Sequence, residues 1–280
     1  MPRRRLRLDR LRIMSFNVRG SFRDSGTPNA WPERAGLNVE TIRHHSPDVI
    51  GFQELQSGNL ETYGEDLPRY DYVPGPEYGN AARPSLNAIF FDAERLRLLD
   101  AGGFWLSTTP ERYSSSWASR VVRSANWVYF ESADGDLSFL HLNTHLDHVS
   151  GRARVEGSRL VLRKAAELVQ RYGEDTPILV TGDFNCRPET PTYRSFVENG
   201  FVDTYLAAGN EDRGDAHTFH AFKGSQYRDA RPGLGPRRID WILLKVPRQR
   251  LRAVSHYIVR DHDGEQYPSD HYPVLVDLAS

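Results

Sequence analysis

The residues best equipped for chemistry in this chain stand where apolar runs stop. In Leu179-Val180-Thr181-Gly182-Asp183-Phe184-Asn185, an apolar run meets a glycine and then two polar residues spaced by two. Side chains alternate along a strand, so Asp183 and Asn185 are expected on one face at its end. A carboxylate accepts a proton or orients water, and a side-chain amide donates hydrogen bonds to an anion. Taken alone, the segment reads equally well as a strand running into an Asx turn.

Other runs end in the same way. Ser15-Phe16-Asn17 closes the first, Gln53-Glu54 the second, and Asn143-Thr144-His145-Leu146-Asp147-His148 a later one. Ser269-Asp270-His271-Tyr272-Pro273 opens the last, and Asp240 is embedded in Arg238-Ile239-Asp240-Trp241-Ile242. An unpartnered buried carboxylate costs several kcal/mol, so Asp240 requires a partner, and His271 is a natural one. The spacing of His145 and His148 would suit zinc on a helix, but they follow a strand and no cysteine set accompanies them. Asn17, Glu54 and Asp270 form an oxygen-rich group that matches a hard cation, Mg²⁺ or Mn²⁺. Histidines with carboxylate partners suit proton transfer near neutral pH. Together, metal, carboxylate, histidine and amide donor describe attack of water on a phosphorus ester.

The elements that must position these residues alternate in type. Strands are predicted at 11–17 and 48–54, with helices at 32–45 and 57–67. Residues 70–144 read as β throughout, in runs at 70–74, 86–92, 96–106, 121–131 and 137–145. Apolar spacing predicts the longest helix over 151–172. Then come a strand at 177–182, a helix near 190–199, and strands near 217–222, 237–244, 250–260 and 272–278. No composition break marks a linker. The reading is an α/β chain with a basic leader at 1–10 and a single domain at 11–280, in which two sheets pack face to face with helices outside.

Composition narrows the class. The 280 residues are 39% hydrophobic, enough for a large core, and no run approaches a membrane span. The first 12 residues carry +5 against a net charge of −1, leaving −6 on the remainder. A mildly acidic body argues against electrostatic wrapping of long nucleic acid. The sole cysteine, Cys186, permits no intrachain disulfide and fits a cytoplasmic location. It is expected to be a passive neighbour of Asn185. No signal peptide is read at the start, and a monomer is favoured.

In order along nearly the whole chain, Phe16-Asn17-Val18-Arg19, Gln53-Glu54, the 143–148 segment, Gly182-Asp183-Phe184-Asn185, Arg238-Ile239-Asp240 and Ser269-Asp270-His271-Tyr272-Pro273 resemble the motifs of the metal-dependent endonuclease/exonuclease/phosphatase superfamily. Phe104-Trp105-Leu106-Ser107, Thr218-Phe219-His220 and Arg123 with Trp127 resemble a bacterial branch near the deadenylase-like members. The resemblance implies a four-layer α/β sandwich of two packed mixed β-sheets flanked by helices, with the site at one end of both sheets. It implies one or two Mg²⁺ or Mn²⁺ ions, Glu54 as metal ligand, and Asn17 and Asp270 in or near the same shell. Asp183 would orient or deprotonate the attacking water, and Asn185 would bond the scissile phosphate. His271, oriented by Asp240, would stabilise the developing charge, and His145 would contact the phosphate or aid the leaving group. Relatives often supply a glutamate partner for that histidine just before the strand at 86–92. Here Pro84-Ser85-Leu86 stands in its place, so His145 either lacks its usual partner or takes Asp147 as the substitute.

Arg123, Asn143, Asp147, Trp105 and His220 are expected substrate contacts, and the 74–86 loop is a candidate substrate lip. Arg83 and Arg120 either grip phosphate or are solvated, and Trp117 either stacks on a base or sugar or fills the core, whereas Trp127, inside a strand, is read as core. The leading functional reading is hydrolysis of a phosphodiester or phosphomonoester on a small or short phosphorylated substrate. A nuclease acting on DNA or RNA is the alternative, and a non-catalytic metal- and phosphate-binding module is a third reading.

Overall fold

Strand alternation builds the molecule. In the computed structural model, which describes residues 10–76, 86–230, 232–247 and 251–279, even and odd residues of each central strand enter different cores. Strand β8 (Ile178–Asp183) sends Ile178 and Val180 to one side and Leu179 to the other. Strand β10 (Asp240–Lys245) does the same with Trp241 and Leu243 against Ile242 and Leu244. In β1 (Leu11–Asn17), Leu11 and Ile13 face opposite to Met14 and Phe16. A strand that is apolar on both faces is covered on both, so the result is helix, sheet, sheet, helix.

One sheet contains, besides β1, β2 (Val49–Leu55), β3 (Tyr70–Pro74), β4 (Leu86–Asp92), β11 (Arg252–Ile258) and β12 (Val274–Ala279), in the order β11-β12-β1-β2-β4-β3. The other combines β5 (Leu96–Trp105), β6 (Ser124–Ser132), β7 (Ser138–His145), β8, β9 (Val202–Asp203) and β10, in the order β5-β6-β7-β8-β10-β9. Each sheet holds a parallel pair joined by a helix. Helix α1 (Trp31–His45) links β1 to β2, and α3 (Gly151–Tyr172) links β7 to β8. These crossovers bring the carboxyl ends of four strands to one end of the sandwich, the edge where open α/β sheets place their ligands. Those ends carry Asn17, Glu54, His145 and Asp183.

The mixed α/β architecture agrees with the expected sandwich. Helix α2 (Ser57–Asp66) and α4 (Pro191–Glu198) fall where periodicity put them. Short β9 and α5 (Thr204–Ala207) were not foreseen. The expected strand at 217–222 does not form. It is reduced to one bridge between Phe219 and His271, after which Ala221 and Phe222 take φ of 51° and 59°. The Thr218 hydroxyl instead accepts from the amides of Ile239 and Asp240, at 2.9 and 3.1 Å, and pins the entry of β10. Residues 1–9 of the leader, Arg83, Ser85 and most of the 74–86 loop lie outside the described residues.

Between the sheets, the inward-facing layer is graded. Ile13, Val49, Leu179 and Ile242 are apolar. One step nearer the site, Gln53 donates to Asn143 Oδ1 at 2.8 Å, Thr181 to the same atom at 3.1 Å, and His141 Nε2 meets Thr181 Oγ1 at 2.9 Å. Buried polar groups persist only when bonded, and this bonded band forms the floor of what lies above. Gly51 allows it: a Cβ there would lie 2.1 Å from Thr181 Oγ1.

Candidate active site

Register sets the first row of the site. His145 pairs with Asp183 across the parallel ladder, and Asp183 pairs with Asp240 across the antiparallel one. By alternation all three point between the sheets, in line with Leu179 and Thr181 below. Asn17, in step with Ser15 and Ile13, reaches them from the other sheet. Its Nδ2 donates to Asp183 Oδ2 at 3.0 Å and to Glu54 Oε1 at 3.2 Å, tying the sheets together above the polar floor.

Glu54 is not delivered by alternation, since Gln53 before it already faces inward. The β2–β4 register shifts between Phe52 and Leu55, and Glu54 takes φ of 61°. A left-handed non-glycine residue costs about 1–3 kcal/mol and occurs where a side chain is re-aimed. The outcome here is a carboxylate lining the same cavity as Asp183. Asn185 also has a left-handed φ, 51°, and its backbone N–H donates to Asp183 Oδ1 at 2.9 Å.

Asp183 is therefore ringed by donors. Oδ2 faces Asn17, lies 3.3 Å from His145 Nε2, and is 3.8 Å from His271 Nε2. Burial alone would raise this carboxyl, but His145, His271 and the Asn185 amide bring it below the usual carboxylate range. His271 Nδ1 lies 2.9 Å from Asp240 Oδ2, the partnership expected for a carboxylate inside an apolar strand. Burial disfavours the His271 cation, yet Asp240 and Asp183 outweigh it and push the ring up to about 10. Asp270 accepts from Arg19 at 3.0 Å.

These groups open into a cavity of about 440 Å³, lined also by Arg19, Arg23, Arg123 and Arg237. Acid at the floor and arginine at the walls suit an anion brought in together with a cation. Among the residues expected here, the structure brings together Asp183, Asn185, His145, Asp240, His271, Glu54, Asn17, Asp270 and Arg123.

Four expected substrate contacts do not line the cavity. Asn143 is fully buried in the floor, where its Nδ2 donates to the carbonyls of Phe52 and Ala88 at 2.7 and 3.1 Å. Asp147 is not the partner of His145. It accepts from Ser119 and the Arg120, Val149 and Ser150 amides, and so folds the 119–121 loop onto the start of α3. Trp105 is buried edge-on to Tyr113, and His220 is buried with its ring stacked on Tyr272. Trp117 and Trp127 pack against the core below α3, and Arg120 is exposed away from the cavity. Asn17 is a bridge, since its Oδ1 accepts from the Arg19 amide at 3.1 Å while its nitrogen faces the carboxylates. Cys186 is buried outside the cavity lining, with burial pushing its thiol up to about 11, in keeping with a passive neighbour.

Arg34 holds a place in the site that the sequence does not signal. It is fully buried and donates to the carbonyls of Val18, Gly20 and Pro268 at 2.7–2.9 Å, stitching together the loops that carry Arg19 and Asp270. A polar residue beside Trp31-Pro32 at a helix start gives no sequence signal for that role.

Two groups fit a cation to different degrees. Asp183, Asp240 and His271 offer ligand atoms within 4.8 Å of one another. However, His271 Nδ1 and Asp240 are already committed to each other. Glu54 Oε2 is buried without a hydrogen-bond partner, and Arg23 at 3.7 Å is its ion-pair neighbour. An open carboxylate oxygen, with Asp270 lining the same cavity, fits a hard divalent cation better.

Known proteins place this geometry in context. The model of the Endonuclease/Exonuclease/phosphatase family matches residues 14–271. A mannosyl-6-phosphatase of Bacteroides thetaiotaomicron is 30% identical, with a TM-score of 0.84 over 96% of this chain and 100% of that one. An uncharacterized protein of Acanthamoeba polyphaga mimivirus is 27% identical over 62% of this chain and 67% of its own length. Human Nocturnin is 21% identical over 96% of this chain, a match that spans 65% of Nocturnin.

Proposed function

We propose, from the premise that the chain belongs to the endonuclease/exonuclease/phosphatase family, that it is a Mg²⁺- or Mn²⁺-dependent hydrolase of a small or short phosphorylated substrate. Members of that family are phosphoesterases and nucleases and generally depend on a divalent metal. The observation that carries the reading is Asp183. It is a buried carboxylate held below its usual range by surrounding donors, in a cavity walled by arginines and shared with the open Glu54 oxygen.

Glu54 would hold the cation, with Asp270 as a further carboxylate of the cavity. When bound, such an ion stabilises charge on a phosphoryl oxygen. Asp183 accepts a hydrogen bond from water and orients it toward phosphorus. Its depressed basicity makes orientation its main contribution. The Asn185 amide offers a donor to the phosphate, and the His271 cation, backed by Asp240, offsets charge in the transition state. A bounded cavity and an acidic body favour a small phosphoester over a long duplex. The mannosyl-6-phosphatase likeness supports a sugar phosphate as the first class to test.

The test is a panel of sugar phosphates, p-nitrophenyl phosphate, bis-p-nitrophenyl phosphate and a labelled oligonucleotide, each with Mg²⁺, Mn²⁺ or EDTA. Turnover of small esters that EDTA and Asp183→Ala abolish is expected. Turnover that survives both, or cleavage of the oligonucleotide alone, would overturn the reading.

A further inference from the structure

Arg123 lies at the start of β6's neighbourhood, one residue before Ser124, and its guanidinium reaches into the cavity wall. Its NH1 lies 2.9 Å from His145 Nδ1, and its NH2 lies 3.4 Å from Nδ1 of His148, which is exposed and also lines the cavity. A guanidinium carries donors only and stays charged in proteins. An imidazole nitrogen that meets it at 2.9 Å must therefore accept, and an accepting nitrogen carries no proton.

The other nitrogen of His145 has an acceptor within reach for the proton that Nδ1 cannot carry. Nε2 lies 3.3 Å from Asp183 Oδ2, and a carboxylate only accepts. Nε2 must therefore carry the proton. The Arg123 contact at Nδ1 thus selects one form, neutral and protonated at Nε2, with Asp183 Oδ2 to receive that proton's hydrogen bond. The Asn185 Nδ2 group also lies 3.0 Å from Nε2; one of its two hydrogens goes to the Leu146 carbonyl at 3.1 Å, and the other is the donor assigned to the phosphate. His148 meets the same guanidinium in the same sense.

We propose that Arg123 is a positioning residue that fixes His145 as the neutral, Nε2-protonated tautomer, so that His145 acts as a permanent donor to Asp183 and not as a general acid. The inference deepens the phosphoesterase reading. The proton on Nε2 is the only one the ring carries, and giving it up would leave an imidazolate beside a carboxylate. His145 therefore holds Asp183 Oδ2 throughout the reaction, and the leaving oxygen departs as an oxyanion and takes its proton from solvent water. Backing by a guanidinium also explains how the site functions with no carboxylate from Asp147, whose oxygens are occupied by the 119–121 loop and the start of α3. An enzyme without an acid on this side should be sensitive to the leaving group, hydrolysing aryl phosphates faster than alkyl phosphates.

The test is ¹⁵N-histidine NMR of the full chain at pH 7, with His145 assigned by loss of its signals in His145→Gln. The wild type is expected to show a protonated Nε2 and an unprotonated Nδ1 at His145. Arg123→Met should remove that signature and lower kcat on the order of 10-fold with little change in KM, as loss of a group that orients another does. Arg123→Lys, which retains a donor, should recover part of both. A cationic or Nδ1-protonated His145 in the wild type overturns the proposal. So does an Arg123→Met protein with the tautomer unchanged and only KM raised, which would make Arg123 a simple phosphate ligand. If Arg123→Met does not fold, Arg123→Lys carries the same two outcomes. The NMR arm needs no substrate, so failure of the phosphoesterase reading and failure of this proposal are distinguishable.

Discussion

Asp183 lies between two histidines that are backed in opposite ways. On one side, His271 turns Nδ1 to the Asp240 carboxylate, which stabilises its cation. On the other, His145 turns Nδ1 to the Arg123 guanidinium, which is incompatible with a proton on that atom. Both rings are buried and both direct Nε2 toward the same carboxylate oxygen. Identical side chains thus acquire different duties from what stands behind them. One supplies positive charge to the cavity, and the other supplies a neutral donor. Two cations flanking Asp183 would repel each other and weaken its hold on a water proton still further, so the asymmetry keeps Asp183 useful.

The comparison can be broken at its hinge first. Asp183→Ala removes the group both histidines serve, and kcat is expected to fall on the order of 10⁴-fold in steady-state phosphate release. Next, Asp240→Asn removes the charge behind His271 while keeping shape. A loss on the order of 10³-fold in kcat with KM within a few-fold is expected, because the lost term acts in the transition state. A fall confined to KM would instead place Asp240 in ground-state binding. Arg123→Met, on the neutral side, should cost only on the order of 10-fold. If it costs more than Asp240→Asn, the assignment of charge and donor between the two sides is reversed.

The smallest effect concerns stability and sharpens the meaning of a neutral buried histidine. His141, four residues before His145 on β7, is fully buried, and burial pushes its pKa down to about 3 from 6.5. The unfolded chain therefore takes up a proton that the folded one refuses. Stability from this group is complete above pH 6.5 and declines as pH falls toward 3. Between pH 7 and 5.5, urea unfolding should show a loss of roughly 1 kcal/mol that His141→Gln removes.

Much of this was legible in the chain, and the reasons differ by residue. Asp183, His145 and Asp240 follow from strand alternation, so a polar residue at the right parity of an apolar run is enough to place them. Asp240 even announced His271, because a carboxylate between Ile239 and Trp241 needs a partner. Glu54 was identified by type, but its aim depends on a bulge and a left-handed φ that no pattern encodes. Asn143 has the same parity as His145 yet sits one step deeper, where the sheets meet, and parity does not report depth. Asp147 and the segment at 217–222 depart from the pattern because side chain-to-backbone bonds, invisible in periodicity, capture them. The arginine behind His145 comes from a residue 22 positions earlier, and only the fold brings it there.

The most direct measurement of the central claim is hydrolysis of a small phosphomonoester in H₂¹⁸O with Mg²⁺, followed by mass spectrometry of the released phosphate. One ¹⁸O atom per phosphate from the native enzyme, and no release from Asp183→Ala, is the expected result. Release of unlabelled phosphate with the label in the alcohol, or equal release from Asp183→Ala, would contradict attack on phosphorus by a water that Asp183 orients.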